Sequence, residues 1–220
     1  MNASARKIAK RRTIRDRAGE SLDQPESGRS DCSNLKYDND FWRFSLAVYR
    51  QDRVAEECLA LQESIGLDVN LLLFCAWTGS QSTVLSSANI QGASSSVAAW
   101  QDRVVRPLRS ARQYMKLLEG GEIEDLRARV KGVEIEAEQV EQAILFAYSK
   151  DIQGNRPGTD PLSAIVQNVK KYIEIRSGVE QARSSELSAP LLVEAAFRLR
   201  AYATAAPRLP CCPWPCPSGG

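Results

Sequence analysis

Gly66-Leu67-Asp68-Val69-Asn70-Leu71-Leu72-Leu73-Phe74-Cys75-Ala76-Trp77 has almost no polar face, and a segment of that kind has to be buried. Gly66 suits the left-handed conformation that closes a preceding helix. Asp68 suits the position that accepts hydrogen bonds from the free N–H groups opening the next one. The pattern therefore predicts a helix that starts at Val69. Its apolar run of about nine residues falls far short of the roughly 20 that a bilayer span needs, so it is expected at the centre of a globular core. Asn70, its one polar residue, reads as a capping partner or a surface contact.

Working outward towards the N-terminus, Val54, Cys58, Leu61 and Ile65 are spaced four, three and four apart and share one helical stripe, which places Cys58 in the core. Before them, Asp40 is the expected N-cap of Phe41-Trp42-Arg43-Phe44-Ser45-Leu46-Ala47-Val48-Tyr49, a helix aromatic on more than one side. Residues 1 to 36 carry nine Lys or Arg against five Asp or Glu, mixed with Ser, Gly and Pro; they bury little and read as a basic disordered tail.

In the other direction, Thr78 to Ser96 reads as a Ser- and Gly-rich connection with one helical turn near Val84 to Ile90, and Ser95 or Ser96 as the cap of a long helix ending at Leu118. Trp100, Val104, Leu108, Ala111, Met115 and Leu118 form the buried stripe of that helix, Arg106, Arg109, Arg112 and Lys116 share another face, and Pro107 is expected to kink it. After Gly120-Gly121, Ile123, Leu126, Val130, Val133, Ala137, Val140, Ile144 and Ala147 alternate three and four apart as a heptad seam, with Glu134, Glu138 and Glu141 on its solvated flank. Asp160-Pro161 opens a helix with Leu162, Ile165, Val166, Val169 and Ile173 inward, and a last helix spans about Ser188 to Tyr202. From Ala205 the Pro- and Cys-rich end does not fold alone. The expected organisation is thus a disordered basic tail at 1–37, an all-α domain of six or seven helices at 38–203, and a disordered tail at 204–220.

Composition excludes more than it selects. The chain is 43% apolar and 25% charged, an ordinary globular balance, with a net charge of +2 concentrated in the N-terminal tail. It has no histidine, which removes the commonest general base, the usual nitrogen ligand for metals and every His-dependent nucleophile. Six cysteines are scattered without a disulfide framework. The basic start lacks the apolar segment of a secretory signal, which points to the cytoplasm. There is no P-loop, dinucleotide fingerprint or nucleophile elbow.

Three constellations remain. Cys211, Cys212 and Cys216 offer three thiolates, but a closed zinc site wants four ligands and no histidine completes it. Glu134, Glu138 and Glu141 lie beside the seam and read as a solvated face, so no metal or cofactor is expected. The Arg106, Arg109, Arg112 and Lys116 face has two readings of equal standing. Guanidinium groups there either read a partner's carboxylates or phosphates, or pair within the chain with the acidic flank of the next helix across Gly120-Gly121.

Phe41-Trp42-Arg43-Phe44-Ser45-Leu46-Ala47-Val48-Tyr49, Cys58-Leu59-Ala60-Leu61-Gln62, Gly66 to Phe74 and Val105-Arg106-Pro107-Leu108-Arg109 together resemble an uncharacterised proteobacterial family of small cytoplasmic proteins, a domain of unknown function. The resemblance is specific over about residues 38 to 118 and looser through Leu126 to Leu145. It implies a bacterial, cytoplasmic and helical protein and carries over no catalytic residue.

The expected function is a non-enzymatic helical protein-interaction domain for an unknown protein partner, with Arg106, Arg109, Arg112, Lys116, Trp42 and Tyr49 as contact candidates, the aromatics near Trp42 being taken as exposed. The alternative is a helical pocket for an apolar or acidic small molecule, an enzyme if its carboxylates or arginines act, lined by Trp42, Tyr49 and Trp77. Third comes nucleic-acid contact through the basic tail. The seam leaves homo-oligomerisation open, because such a seam is consumed either inside the domain or against another chain.

Overall fold

The computed structural model describes residues 35–152, 159–177 and 188–200, and these are all-α. The helices are α1 (Asp40–Tyr49), α2 (Val54–Ile65), α3 (Val69–Ser80), α4 (Ser87–Trp100), α5 (Arg106–Met115), α6 (Gly121–Ser149), α7 (Pro161–Ser177) and α8 (Pro190–Arg198). Helices α4 and α5 are halves of one continuous rod joined by a π-helical turn, Gln101–Val105, so the described residues form seven helical rods. The two expected tails lie almost wholly outside the described residues, as do Cys211, Cys212 and Cys216.

Helix α3 is the expected central helix. Gly66 closes α2 at φ 63°, its N–H donating to the Gln62 carbonyl at 2.9 Å. Asp68 caps α3 by accepting from the Asn70 N–H at 2.8 Å. Every residue from Asn70 to Ser80 is buried, and α3 packs against α1, α2, α4, α6, α7 and α8. Burying Leu71, Leu72, Leu73 and Phe74 contributes roughly 1.5–3 kcal/mol for each side chain. Phe41 of α1 meets Phe74 edge-on at 5.7 Å, and Trp77 continues the aromatic cluster to Phe146 of α6 at 5.7 Å. Helix α7 approaches α3 most closely at Gly79, where a Cβ would stand 2.5 Å from the Ile165 Cα. Only glycine fits there.

Several local expectations are corrected. The cap of α1 is Asn39, buried, whose side-chain oxygen accepts from the Trp42 N–H at 2.8 Å; Asp40 turns outward to Arg43. Asn70 is a capping partner through its N–H, which donates to Asp68, but not a surface contact, since its side chain is buried and hydrogen-bonded to α6. Helix α4 starts at Ser87 and not near Ser95, because Ser86 and Asn89 form a reciprocal capping box and Ile90, Ala93 and Val97 give the Ser-rich stretch a buried stripe. The helix continues at Pro107. The turn just before it widens to π geometry, with the Arg106 N–H donating to the Gln101 carbonyl five residues back, and the proline ring is accommodated there.

The largest correction concerns α6. Its inward residues include Glu134, Glu141 and Leu145, which are buried, and Tyr148, which is half-buried, whereas Val133 is 49% exposed and Ala147 is exposed. Glu134, Glu141 and Leu145 each follow a seam residue by one position, while Ala137 of the seam stays buried and Ile144 packs against the core, so the inward face is turned part of the way from the seam towards those neighbours. The inward carboxylates are tolerated because each finds a partner.

Candidate functional site

Arginines at i and i+3 of α5 and glutamates at i and i+4 of α6 lie on facing stripes once Gly120-Gly121 turns the chain back on itself. Arg109 spreads its guanidinium over three groups. Its Nε donates to Glu134 at 3.0 Å, one terminal nitrogen to Glu138 at 2.6 Å, and the other to the Gln62 side chain of α2 at 3.3 Å. Arg112 adds a second fork to Glu134, through Nε and through a terminal nitrogen at 3.2 Å. Burial pulls the Glu134 carboxyl up, but the hydrogen bonds from Arg112 and Arg109 outweigh it and hold the group below its usual range. At Glu138 burial wins over the single Arg109 contact, with Glu134 adding repulsion, and the carboxyl is pushed up to about 7. Burial lowers the Arg109 guanidinium, yet Glu138 and Glu134 leave it above its ordinary value.

A second polar chain continues towards the core. Gln101, projected from the π-helical turn, donates to both Asp68 and Glu141, the latter at 3.1 Å. Asn70 donates to Glu141 at 3.0 Å and accepts from Gln142 at 2.8 Å. The Asp68 N–H donates to the Tyr172 hydroxyl of α7 at 2.9 Å, and the Trp100 ring N–H to the Ala137 carbonyl at 2.9 Å. Burial, with the neighbouring Asp68 carboxylate, raises the Glu141 carboxyl well above the usual range. The π turn thereby aims Gln101 between two carboxylates that would otherwise repel each other.

These networks anchor an arm made of α5, its turn and the first half of α6. Trp100, Gln101 and Arg109 tie its base to α2, α6 and the cap of α3. Beyond the base, α5 has no buried residue, and α6 has none before Glu134. Half of the large apolar side chains exposed among the described residues sit on this arm: Tyr114 (64%), Leu117 (79%), Leu118, Leu126 and Val133.

The expected contact residues divide. Arg109 and Arg112 face inward and pair with α6, so for these two the intramolecular reading holds. Arg106 is exposed and pairs with Asp102 on the same turn, and Lys116 is exposed beside Tyr114 and Leu117. Trp42, expected to be exposed, is buried at 6%, because α1 turns it into the core once Asn39 caps its first turn. Tyr49 is half-buried, and burial, with Cys58 and Glu138 nearby, raises its hydroxyl. Exposed Tyr114 and Leu117 were not among the expected contacts, and the stripe expected to be buried is not: Ala111 and Leu118 are exposed and Leu108 and Met115 only half-buried.

Both cysteines among the described residues are buried. The Cys58 thiol is pushed up to about 12 by burial and the nearby Glu57, and burial raises Cys75 further. Among the described residues no cluster of three His, Cys, Asp or Glu side chains is set to hold a metal ion, and no helix is long and apolar enough to cross a membrane.

Residues 40–145 match the family described as "Protein of unknown function (DUF2390)". The match runs from α1 to Leu145 of α6 and includes the whole arm, which agrees with the resemblance carried by the α1, α2, α3 and α5 motifs. No curated protein and no solved structure matches the chain.

Proposed function

We propose that this chain is a non-enzymatic helical protein-interaction domain, and that the outer face of α5 is its contact surface. The observation that carries the reading is the exposure of Tyr114 and Leu117 on a rod whose inner arginines are already paired. Arg103, Arg106, Ser110, Tyr114 and Leu117 recur three and four apart, so they form one outward stripe, basic towards the body and apolar towards the tip. An aromatic and a leucine flanked by cations suit a protein partner that offers apolar anchors beside carboxylates. The small-molecule pocket draws no support from the aromatic helices, since Trp42 is buried and Trp77 stacks between Phe41 and Phe146.

The test is capture from cell lysate with the full chain beside an Arg106→Glu, Leu117→Glu variant. Circular dichroism first has to show unchanged helicity. A protein retained by the parent chain and lost from the variant supports the surface. Identical retained sets for both chains would sink it.

A further inference from the structure

The arm carries a second stripe, on α6, that the α5 surface does not explain. Ile123, Leu126, Val130 and Val133 are spaced three, four and three apart; Leu126 is 41% and Val133 49% exposed, while Ile123 and Val130 are half-covered. On the inward side of the same helix stand Glu134, Glu138 and Glu141. Over this stretch α6 turns its carboxylates in and part of its apolar seam out, the reverse of an ordinary surface helix. Among the described residues no helix covers Leu126 and Val133, so that part of a heptad-spaced seam lacks the partner such spacing serves.

We infer that the occupant is a second copy of this chain, bound antiparallel through α6. The charges beside the stripe select that partner. Glu122, Arg129 and Glu136 follow one another at heptad spacing along its edge, all exposed and alternating in sign. A copy related by a twofold axis close to Leu126 sets Glu122 of each chain against Arg129 of the other. It also brings the two Leu126 side chains together. Same-sign charges would meet if the axis lay at Arg129, so the pattern disfavours that register. The contact is isologous and closes at two chains. Two α5–α6 hairpins packed in this way complete a four-helix bundle, the usual solution for helical pairs with one apolar face each. This goes beyond the α5 contact surface and does not depend on it, since the two use different stripes.

The test is sedimentation equilibrium of the purified full chain in reducing buffer, which removes any dimer held by cysteine oxidation. The expected result is a reversible dimer that becomes monomeric in Leu126→Glu, Val133→Glu with its helicity retained. Arg129→Glu should weaken the dimer about tenfold through like charges facing Glu122. Glu122→Arg combined with Arg129→Glu should restore it, because the swapped pair is again opposite in sign. A parent chain that stays monomeric throughout the micromolar range overturns the inference. So does a dimer unaffected by Leu126→Glu, Val133→Glu, and so does a charge-swapped double variant that remains as weak as Arg129→Glu. None of these results requires a heterologous partner, so failure here is distinct from failure of the α5 surface.

Discussion

Raising the pH through neutrality should destabilise this protein, and one contributor, beside Glu141, should be Glu138. Its carboxyl ionises at the ordinary value of 4.5 in the unfolded chain and at about 7 in the fold. Between those values the native state holds more protons than the unfolded state, so unfolding free energy falls as pH rises. The stabilisation is fully present below 4.5 and lost by the time the pH has passed about 7. The shift corresponds to about 3 kcal/mol, at roughly 1.4 kcal/mol per unit. The side chain is only 16% exposed, so solvent screening trims this figure modestly. Burial is the largest influence on it, Arg109 opposes burial, and Glu134 and Asp68 add to it. Glu141 acts in the same direction, while Glu134, held low by its arginines, loses its contribution only on acidification below its ordinary range. Urea unfolding across that window gives the slope directly, because the linear extrapolation returns unfolding free energy at each pH. Glu138→Gln should remove its own share of the fall and leave the share due to Glu141. Stability that is level or rises across the window, or a fall of equal size in Glu138→Gln, would refute the assignment.

Arg109→Met should cost about 3 kcal/mol in urea unfolding at neutral pH, because it strands Glu134 and Glu138, whose side chains are 6% and 16% exposed; adding Glu138→Gln should recover part of that loss. Gly79→Ala should cost about 3 kcal/mol by thermal unfolding, as the new Cβ meets Ile165 backbone at 2.5 Å. Gly132→Ala, with nothing within 4 Å of its Cβ, should instead gain up to about 1 kcal/mol from helix propensity. Asn168→Ala should cost about 2–3 kcal/mol, since the buried amide accepts from Leu85 N–H at 2.8 Å and donates to the Thr83 carbonyl at 2.8 Å and the Cys75 carbonyl at 3.2 Å; amide exchange at Leu85 should accelerate with it.

The core was legible because its signals are local. Gly66, Asp68 and an unbroken apolar run define α3 without reference to anything distant, and the α2 stripe likewise places Cys58 inside. What could not be read were choices decided between helices. The hydrophobic period of α6 gives its spacing but not its rotation, and the rotation is settled by Arg109, Arg112 and Asn70, residues 22 to 72 positions away in the chain. Asn70 looked like a capping partner, which its N–H is, but the partners of its side chain, Glu141 and Gln142, lie on another rod. Ser86 was missed as the start of α4 because a Ser-rich segment resembles a linker until Ile90, Ala93 and Val97 are seen to share a buried face. Of the candidate site, the basic stripe and its possible acidic neighbour were both visible, and the pairing geometry decided which arginines were consumed.

The two halves of the arm follow from one constraint. Helix α6 carries apolar and acidic residues at the same period, one position apart, so only one set can face α5 and the body. Burying the apolar set would leave Arg109 and Arg112 facing Val133 and Val140 without carboxylate partners, and an unpaired guanidinium against an apolar surface costs several kcal/mol. Turning the carboxylates inward satisfies both arginines and Gln62, and through Glu141 it also satisfies Asn70 and Gln101. The cost is the exposure of Leu126 and Val133, apolar area worth about 25 cal/mol per Å² if it were covered. Association about Leu126 recovers the Leu126 end of that area without disturbing the buried pairs. The charged seam and the uncovered stripe are therefore consequences of the same register, and substitutions that break the seam should also move the stripe. Arg109→Met should accordingly weaken self-association as well as folding, a coupling that sedimentation of the variant at a pH where it remains folded would detect; a dimer of unchanged strength would separate the two features.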